Sequence, residues 1–241
     1  MPGHLRLTVI QPSYFPEIST LARINAADVV VWANTFIYKK HSVINRARIK
    51  TSAGAHWLTV PVISTGFHPA TIANTAIDWA HFSRFSHLKA LHVSYQNSPY
   101  YFFLQDELEN ILKKEFSFLQ DYCALSTQFL CHKMGIKFNS INAQLLQNVD
   151  DRTCRVVKWL EETDCMEYLA EEKEAELIHI DEIEKRGFSV VLYRFNSPEY
   201  HQLYGKFIPN LSGLDLLFNE GEQSRSLLCK SVLHQRGNIH G

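Results

Sequence analysis

Three cations at every second position, Arg46, Arg48 and Lys50, stand within Asn45-Arg46-Ala47-Arg48-Ile49-Lys50. If this stretch is extended, the side-chain period of two puts the three charges on one face and Asn45, Ala47 and Ile49 on the other. Three donors in a row suit a phosphate, a pyrophosphate or a carboxylate. The same pattern suits an edge strand that its charges protect from aggregation, and the residues alone leave both readings open. A second polar group, Gln11, Ser13 and Tyr14, lies in Gln11-Pro12-Ser13-Tyr14-Phe15-Pro16. Two prolines stiffen that loop, and its residues either line a ligand or wedge the first helix onto a sheet. A third group is Asn210, Ser212 and Asp215. Ser212 with an acid three residues on resembles a capping box, and a helix start there presents free amides to an anion, although a plain capped helix also accounts for it.

The elements that must carry these residues are legible around them. Leu7-Thr8-Val9-Ile10 suits a buried strand, residues 18–27 place Ile18, Leu21, Ala22 and Ile24 at helical spacing, and Val29-Val30-Val31-Trp32 suits a second strand. This is a β-loop-α-β unit with parallel strands, and ligands of such sheets sit outside the carboxyl ends. The cationic strand, a turn at residues 52–55 and residues 56–62 form a β-hairpin, with Pro61 restricting its end to an edge or bulge. A short strand is expected near Ile72 and Ile77. Apolar stripes at helical spacing then predict helices over residues 79–95, from Pro99 onward, and through residues 118–129, with a short strand at Ile136-Lys137-Phe138. Asp150 or Asp151 caps a helix over residues 152–162, the acidic run at residues 171–176 is a solvated helix or loop, and residues 181–195 read as helix, Gly187 cap and strand. Residues 214–221 form a capped helix, residues 224–234 a final one, and residues 236–241 a flexible tail. The expected fold is a single α/β domain over residues 1–235, a Rossmann-like three-layer core with a hairpin insertion and a helical middle segment.

Composition bounds the functions. The 241 residues are 46% apolar, enough for a substantial core. The first hundred hold nine Lys/Arg against three Asp/Glu, a charge of +6, and the rest fifteen against twenty-two, or −7. That asymmetry suits an anionic ligand at the front and falls short of a nucleic-acid-binding domain; a solvated face accounts for it almost as well. No apolar run reaches the ~20 residues of a membrane span, and the start lacks a signal-peptide pattern, so a cytoplasmic location is expected. Five scattered cysteines without a CxxC pair, and histidines without ligand spacing, predict neither disulfides nor a structural metal. The common nucleotide and hydrolase motifs are absent, and no cofactor is indicated.

Taken in order, the loop at residues 11–16, Asn45-Arg46-Ala47-Arg48-Ile49, the strand at residues 57–62, Tyr95 with Pro99-Tyr100-Tyr101-Phe102, and residues 207–221 resemble the WbqC-like family. The resemblance runs over nearly the whole chain. It departs where family members usually carry an acidic pair after the second strand, here Asn34-Thr35, and a glycine after the proline loop, here Ser19. The resemblance implies a biosynthetic group-transfer enzyme, moving an acyl or glycine-type aminoacyl group onto an amine of a sugar or other metabolite, as in surface-polysaccharide (O-antigen) clusters. In that scheme Arg46, Arg48 and Lys50 hold phosphates or a carboxylate, Gln11, Asn45, Asn210 and Ser212 orient polar groups, and Tyr14 or Asp215 transfers a proton. Transfer RNA enters only as an aminoacyl donor. The missing acidic pair favours the alternative, a non-catalytic ligand-binding or scaffold protein of a biosynthetic assembly.

Overall fold

Strand β1 (Arg6–Ile10) leads through the proline loop to helix α1 (Ile18–Asn25) and returns as β2 (Val29–Trp32), parallel to β1 with Leu7 opposite Val29 and Ile10 opposite Trp32. In the computed structural model, which describes residues 4–40, 42–63 and 70–236, this unit founds a six-stranded sheet. The chain next forms an antiparallel hairpin of β3 (Arg46–Thr51) and β4 (Gly54–Thr59), with Arg48 opposite Trp57 and Lys50 opposite Ala55. Three helices follow, α2 (Arg84–Tyr95), α3 (Tyr101–Lys113) and α4 (Leu119–Lys133), before β5 (Ser140–Asn142) joins the sheet beside β2. Helix α5 (Arg152–Glu162) starts where the Asp151 carboxylate accepts from the Cys154 amide at 2.7 Å.

The second half is β6 (Glu167–Glu171), α6 (Glu172–Ala175), α7 (Ile180–Lys185), β7 (Ser189–Phe195), α8 (Gly213–Glu220), α9 (Ser224–Lys230) and β8 (Val232–Arg236). The sheet order is β5-β2-β1-β6-β7-β8, parallel except for β8 at its edge. The core is thus α/β and Rossmann-like, with the order of parallel strands reversing direction between β1 and β6. One face packs Val30, Trp32 and Ile10 against α1, α4, α8 and the hairpin; the other packs Leu7, Val9 and Val31 against α5 and α7. Gly213 lets α8 approach α1 closely, since a Cβ there would meet Leu21 Cδ1 at 2.2 Å.

The elements differ from the sequence expectation at several points. The helix over residues 79–95 begins only at Arg84, after Ser83 caps it; Ile72–Asn74 is a single 3-10 turn, and Ile77 makes one bridge to Val62. The short strand after Gly135 is Ser140–Asn142, displaced from residues 136–138. The last segment splits into α9 and an edge strand, so Arg236, assigned to a flexible tail, closes β8 instead; residues 237–241 and the loop residues 64–69 lie outside the described residues. Strand β6, in the middle of the sheet, was not anticipated. Among the described residues no helix is long and apolar enough to cross a membrane.

Candidate functional site

The hairpin fixes the three cations as the period of two requires. Ala47 and Ile49 are buried in the core, and Arg46, Arg48 and Lys50 turn to the opposite face with Trp57 and Thr59 across the ladder. The Arg46 guanidinium lies 4.8 Å over the Trp57 ring and donates from Nε to the Ser42 carbonyl at 3.2 Å; Arg48 stands 6.0 Å from the same ring. Farther along, residues 196–211 cross this face on their way from β7 to α8. Arg48 Nη2 donates to the carbonyls of Pro209 at 2.7 Å and Asn210 at 3.1 Å. Lys50 Nζ donates to the Lys206 carbonyl at 2.7 Å and to Gln202 Oε1 at 3.1 Å, which leaves the side chain 1% exposed.

Asp215, on α8, lies near enough to this cation for the two charges to act on each other. Its Oδ2 accepts from the Tyr95 hydroxyl and its Oδ1 from the Tyr200 hydroxyl, both at 2.7 Å. Gln202 Nε2 donates to the Tyr200 hydroxyl at 3.0 Å, and the Lys50 amide donates to the Tyr95 hydroxyl at 2.9 Å. Burial raises the Asp215 pKa, against the pull of both tyrosine hydrogen bonds and of the Lys50 charge. Burial likewise lowers the Lys50 pKa, opposed by Asp215. Tyr95 and Tyr200 are driven well above the usual phenol range by burial and by the Asp215 charge. The result is an acid and a base each pushed toward neutrality beside two phenols that stay protonated. Such a group can hold or pass a proton.

The start of α8 ties the proline loop to this cluster. Ser212 Oγ accepts from the Leu214 amide at 3.3 Å and donates to the Phe15 carbonyl at 2.8 Å, so the cap is made, while Asp215 faces the tyrosines instead of completing a capping box. The Ser212 amide donates to the Arg48 carbonyl at 2.8 Å, and the Gly213 amide to the Pro16 carbonyl at 2.8 Å. Asn210 adopts a positive φ of 52°, a conformation asparagine tolerates. Its Oδ1 accepts from the Ser19 amide at 2.9 Å and its Nδ2 donates to Glu17 Oε2 at 3.1 Å. Burial raises the Glu17 pKa, with Arg48 and Asn210 acting the other way.

Arg48, Lys50, Asn210, Ser212 and Asp215 therefore gather where β3, residues 196–211 and α8 meet, and Arg46 stands at the far end of the same strand face. Tyr14 does not join them. It is completely buried, its amide bonded to the Ile44 carbonyl at 2.9 Å and its hydroxyl 3.0 Å from His87 Nδ1. His87 Nε2 lies 3.2 Å from the Thr59 carbonyl, which fixes the proton on Nε2 and makes Tyr14 the donor to Nδ1. Burial holds His87 neutral, with its pKa pushed down to about 4. The next residue, Phe15, has φ 40°, a left-handed conformation uncommon for a bulky side chain. Its amide donates to Ser126 Oγ at 3.0 Å. Asn45 is buried in the hairpin and donates to the Val60 carbonyl at 2.8 Å. Gln11 is exposed at the carboxyl end of β1.

Sequence reasoning passed over Tyr95, Tyr200, Gln202 and His87. Tyr95 reads as one more apolar position of a helical stripe, and its signal was the hydroxyl, which needs a partner once buried. Arg23 was also missed. It sits 3% exposed between β1 and β6, donating from Nε to Thr8 Oγ1 at 2.6 Å and from Nη2 to the Leu169 carbonyl at 3.2 Å. Glu174 and, at 3.2 Å, Glu171 neutralise it. A cation inside the apolar face of α1 marks such a buried pair. Among the described residues no group of three or more His, Cys, Asp or Glu is arranged to hold a metal ion.

The chain is 26% identical over 225 residues to the Mycobacterium tuberculosis protein "Uncharacterized protein Rv1507c", covering 92% of this chain and 97% of that one. No solved structure matches it. The sequence model of the WbqC-like protein family matches residues 11–227, a span that runs from the proline loop through α8 into α9 and includes every residue of the Lys50–Asp215 cluster. By that match, the chain belongs to the WbqC-like protein family.

Proposed function

We propose that the protein is a group-transfer enzyme that moves an acyl or aminoacyl group onto an amine of a sugar or another small metabolite. The observation that carries this reading is the bonding of Asp215 to two tyrosine hydroxyls beside the Lys50 end of a cationic strand face. The anionic part of a substrate takes the place of the loop carbonyls now bonded to Arg48 and Lys50, with Arg46 and Trp57 at its outer end. Asn210 and Ser212 hold the loop and the start of α8 against this face. The acceptor nitrogen attacks the donor carbonyl carbon, the new C–N bond forms as the donor C–O or C–S bond breaks, and the proton shed by nitrogen passes to Asp215 for return to the leaving oxygen or sulfur. Residues 196–211 must move for this, because Asp215 is inaccessible beneath them. Tyr14 stays with His87 and supports the wall of the site.

The test is binding followed through the hairpin. Inorganic pyrophosphate and a nucleotide-linked amino sugar should raise the melting temperature of the protein, and Arg46→Ala should remove most of that rise. Equal shifts in wild type and variant count against the role. A second reading, a binding or scaffold protein without turnover, is favoured by one observation: Lys50 and Asp215 are fully partnered within the chain and almost excluded from solvent. Formation of product in a single turnover decides against it.

A further inference from the structure

Asn34 follows β2 at its carboxyl end and is completely buried. Its backbone is satisfied, the amide bonding to the Trp32 carbonyl and the carbonyl accepting from the Ala73 amide, both at 2.8 Å. Its side chain is only half satisfied. Nδ2 donates to Gln120 Oε1 at 2.9 Å and to Gln144 Oε1 at 3.3 Å, while Oδ1 is buried with no hydrogen-bond partner. Turning the amide over does not cure this: Oδ1 then faces the two glutamines and Nδ2 is left alone. One buried polar atom of Asn34 lacks a partner in either setting, at a cost that native interiors rarely carry without a ligand or water to meet it. The other buried orphans, Asn45 Oδ1, Arg48 Nε, Thr127 Oγ1 and Asn219 Oδ1, do not lie at the carboxyl end of a strand of the parallel sheet.

Its place gives the orphan a meaning. Asn34 stands at the carboxyl edge of the parallel sheet, where ligands of such folds bind. Gln120, the second residue of α4, is half-buried, and Gln144, in the turn after β5, is exposed, so the three carboxamides run from the interior to the surface. On the neighbouring strand, Gln11 and Ser13 follow β1. Neither makes a side-chain hydrogen bond among the described residues.

We infer that Asn34, Gln120 and Gln144 form a binding subsite for an uncharged polar group that offers a hydrogen-bond donor. Carboxamides present a donor and an acceptor side by side without charge, which matches adjacent hydroxyls of a sugar ring or the edge of a nucleobase. This subsite is separate from the Lys50–Asp215 cluster and holds whether or not the protein catalyses transfer. The test is a titration of ¹⁵N-labelled protein, following the side-chain amide resonances of Asn34 and Gln120. One arm uses N-acetylglucosamine and the other adenosine. Saturable shifts of both resonances are expected in one arm, which identifies the source of the donor. Gln144→Ala, an exposed change that spares the fold, should weaken that binding at least threefold with an unchanged melting temperature. Absence of shifts in both arms, or Gln120 shifts that persist unaltered in Asn34→Ala and Gln144→Ala, overturns the subsite and leaves the orphan atom to a water molecule.

Discussion

Lys50 and Asp215 are each pushed toward the neutral form by the same burial, and their mutual attraction and the tyrosine hydroxyls oppose it. Removing one member leaves the other stranded. Asp215→Asn should cost about 2–4 kcal/mol in urea denaturation, and combining it with Lys50→Met should cost less than the sum by about 1 kcal/mol or more. Additive losses would show that the two groups are independent. His87 makes a separate prediction. Its pKa of about 4, against 6.5 for the free side chain, means that between these values the unfolded chain takes up a proton that the folded chain refuses. Stability should therefore be full above pH 6.5 and fall as the pH drops toward 4, by at most about 3 kcal/mol from this residue. Asp215 and Glu17, raised by burial, act in the opposite sense, losing stability as pH rises through their folded values. The difference between wild type and His87→Gln across pH 4–7 isolates the histidine. A difference independent of pH would mean that His87 takes up its proton as readily in the fold as in the unfolded chain.

Among the elements, residues 196–211 control what the cationic strand can reach. Gln202 organises that segment: its Oε1 accepts from Lys50 Nζ and the Ile208 amide, and its Nε2 donates to the Tyr200 hydroxyl and the Ile208 carbonyl. Gln202→Ala should release the segment, raising hydrogen exchange at the Ile208 amide at least tenfold while β1 and β6 keep their protection. Unchanged exchange at Ile208 would show that backbone geometry alone holds the segment. The hairpin and α8 were legible because alternation and caps are local signals. Strand β6 was not, because Glu167 interrupts its apolar run and pairs with Arg6, far away in sequence, at 2.9 Å. Strand β8 looked like the continuation of α9, since Val232 and Leu233 fit a helical stripe as well as a strand and only pairing with β7 decides. Asp215 was legible as a helix-start acid, but its tyrosine partners lie 120 and 15 residues away, distances no local pattern records.

Across the whole molecule, the Rossmann-like sheet leaves two distinct polar regions. Arg23 and its glutamates bridge β1 and β6, and the orphaned Asn34 follows β2 at the carboxyl edge of the sheet. The basic front of the chain is expressed in the hairpin, and part of the acidic back, Glu171 and Glu174, is spent on neutralising Arg23. The family match, over residues 11–227, covers most of this arrangement without naming its chemistry. Group transfer at the Lys50–Asp215 cluster is the central claim, and single-turnover mass spectrometry tests it most directly. Purified protein would be mixed with a nucleotide-linked amino sugar and, in turn, a glycyl-tRNA, an acyl thioester and a glycyl phosphate. The account predicts an acceptor heavier by the transferred group with one donor, and at least a hundredfold slower appearance with an Asp215→Asn variant that remains folded. Equal rates in the two proteins, or an acceptor that binds and stays unmodified with every donor, would contradict it.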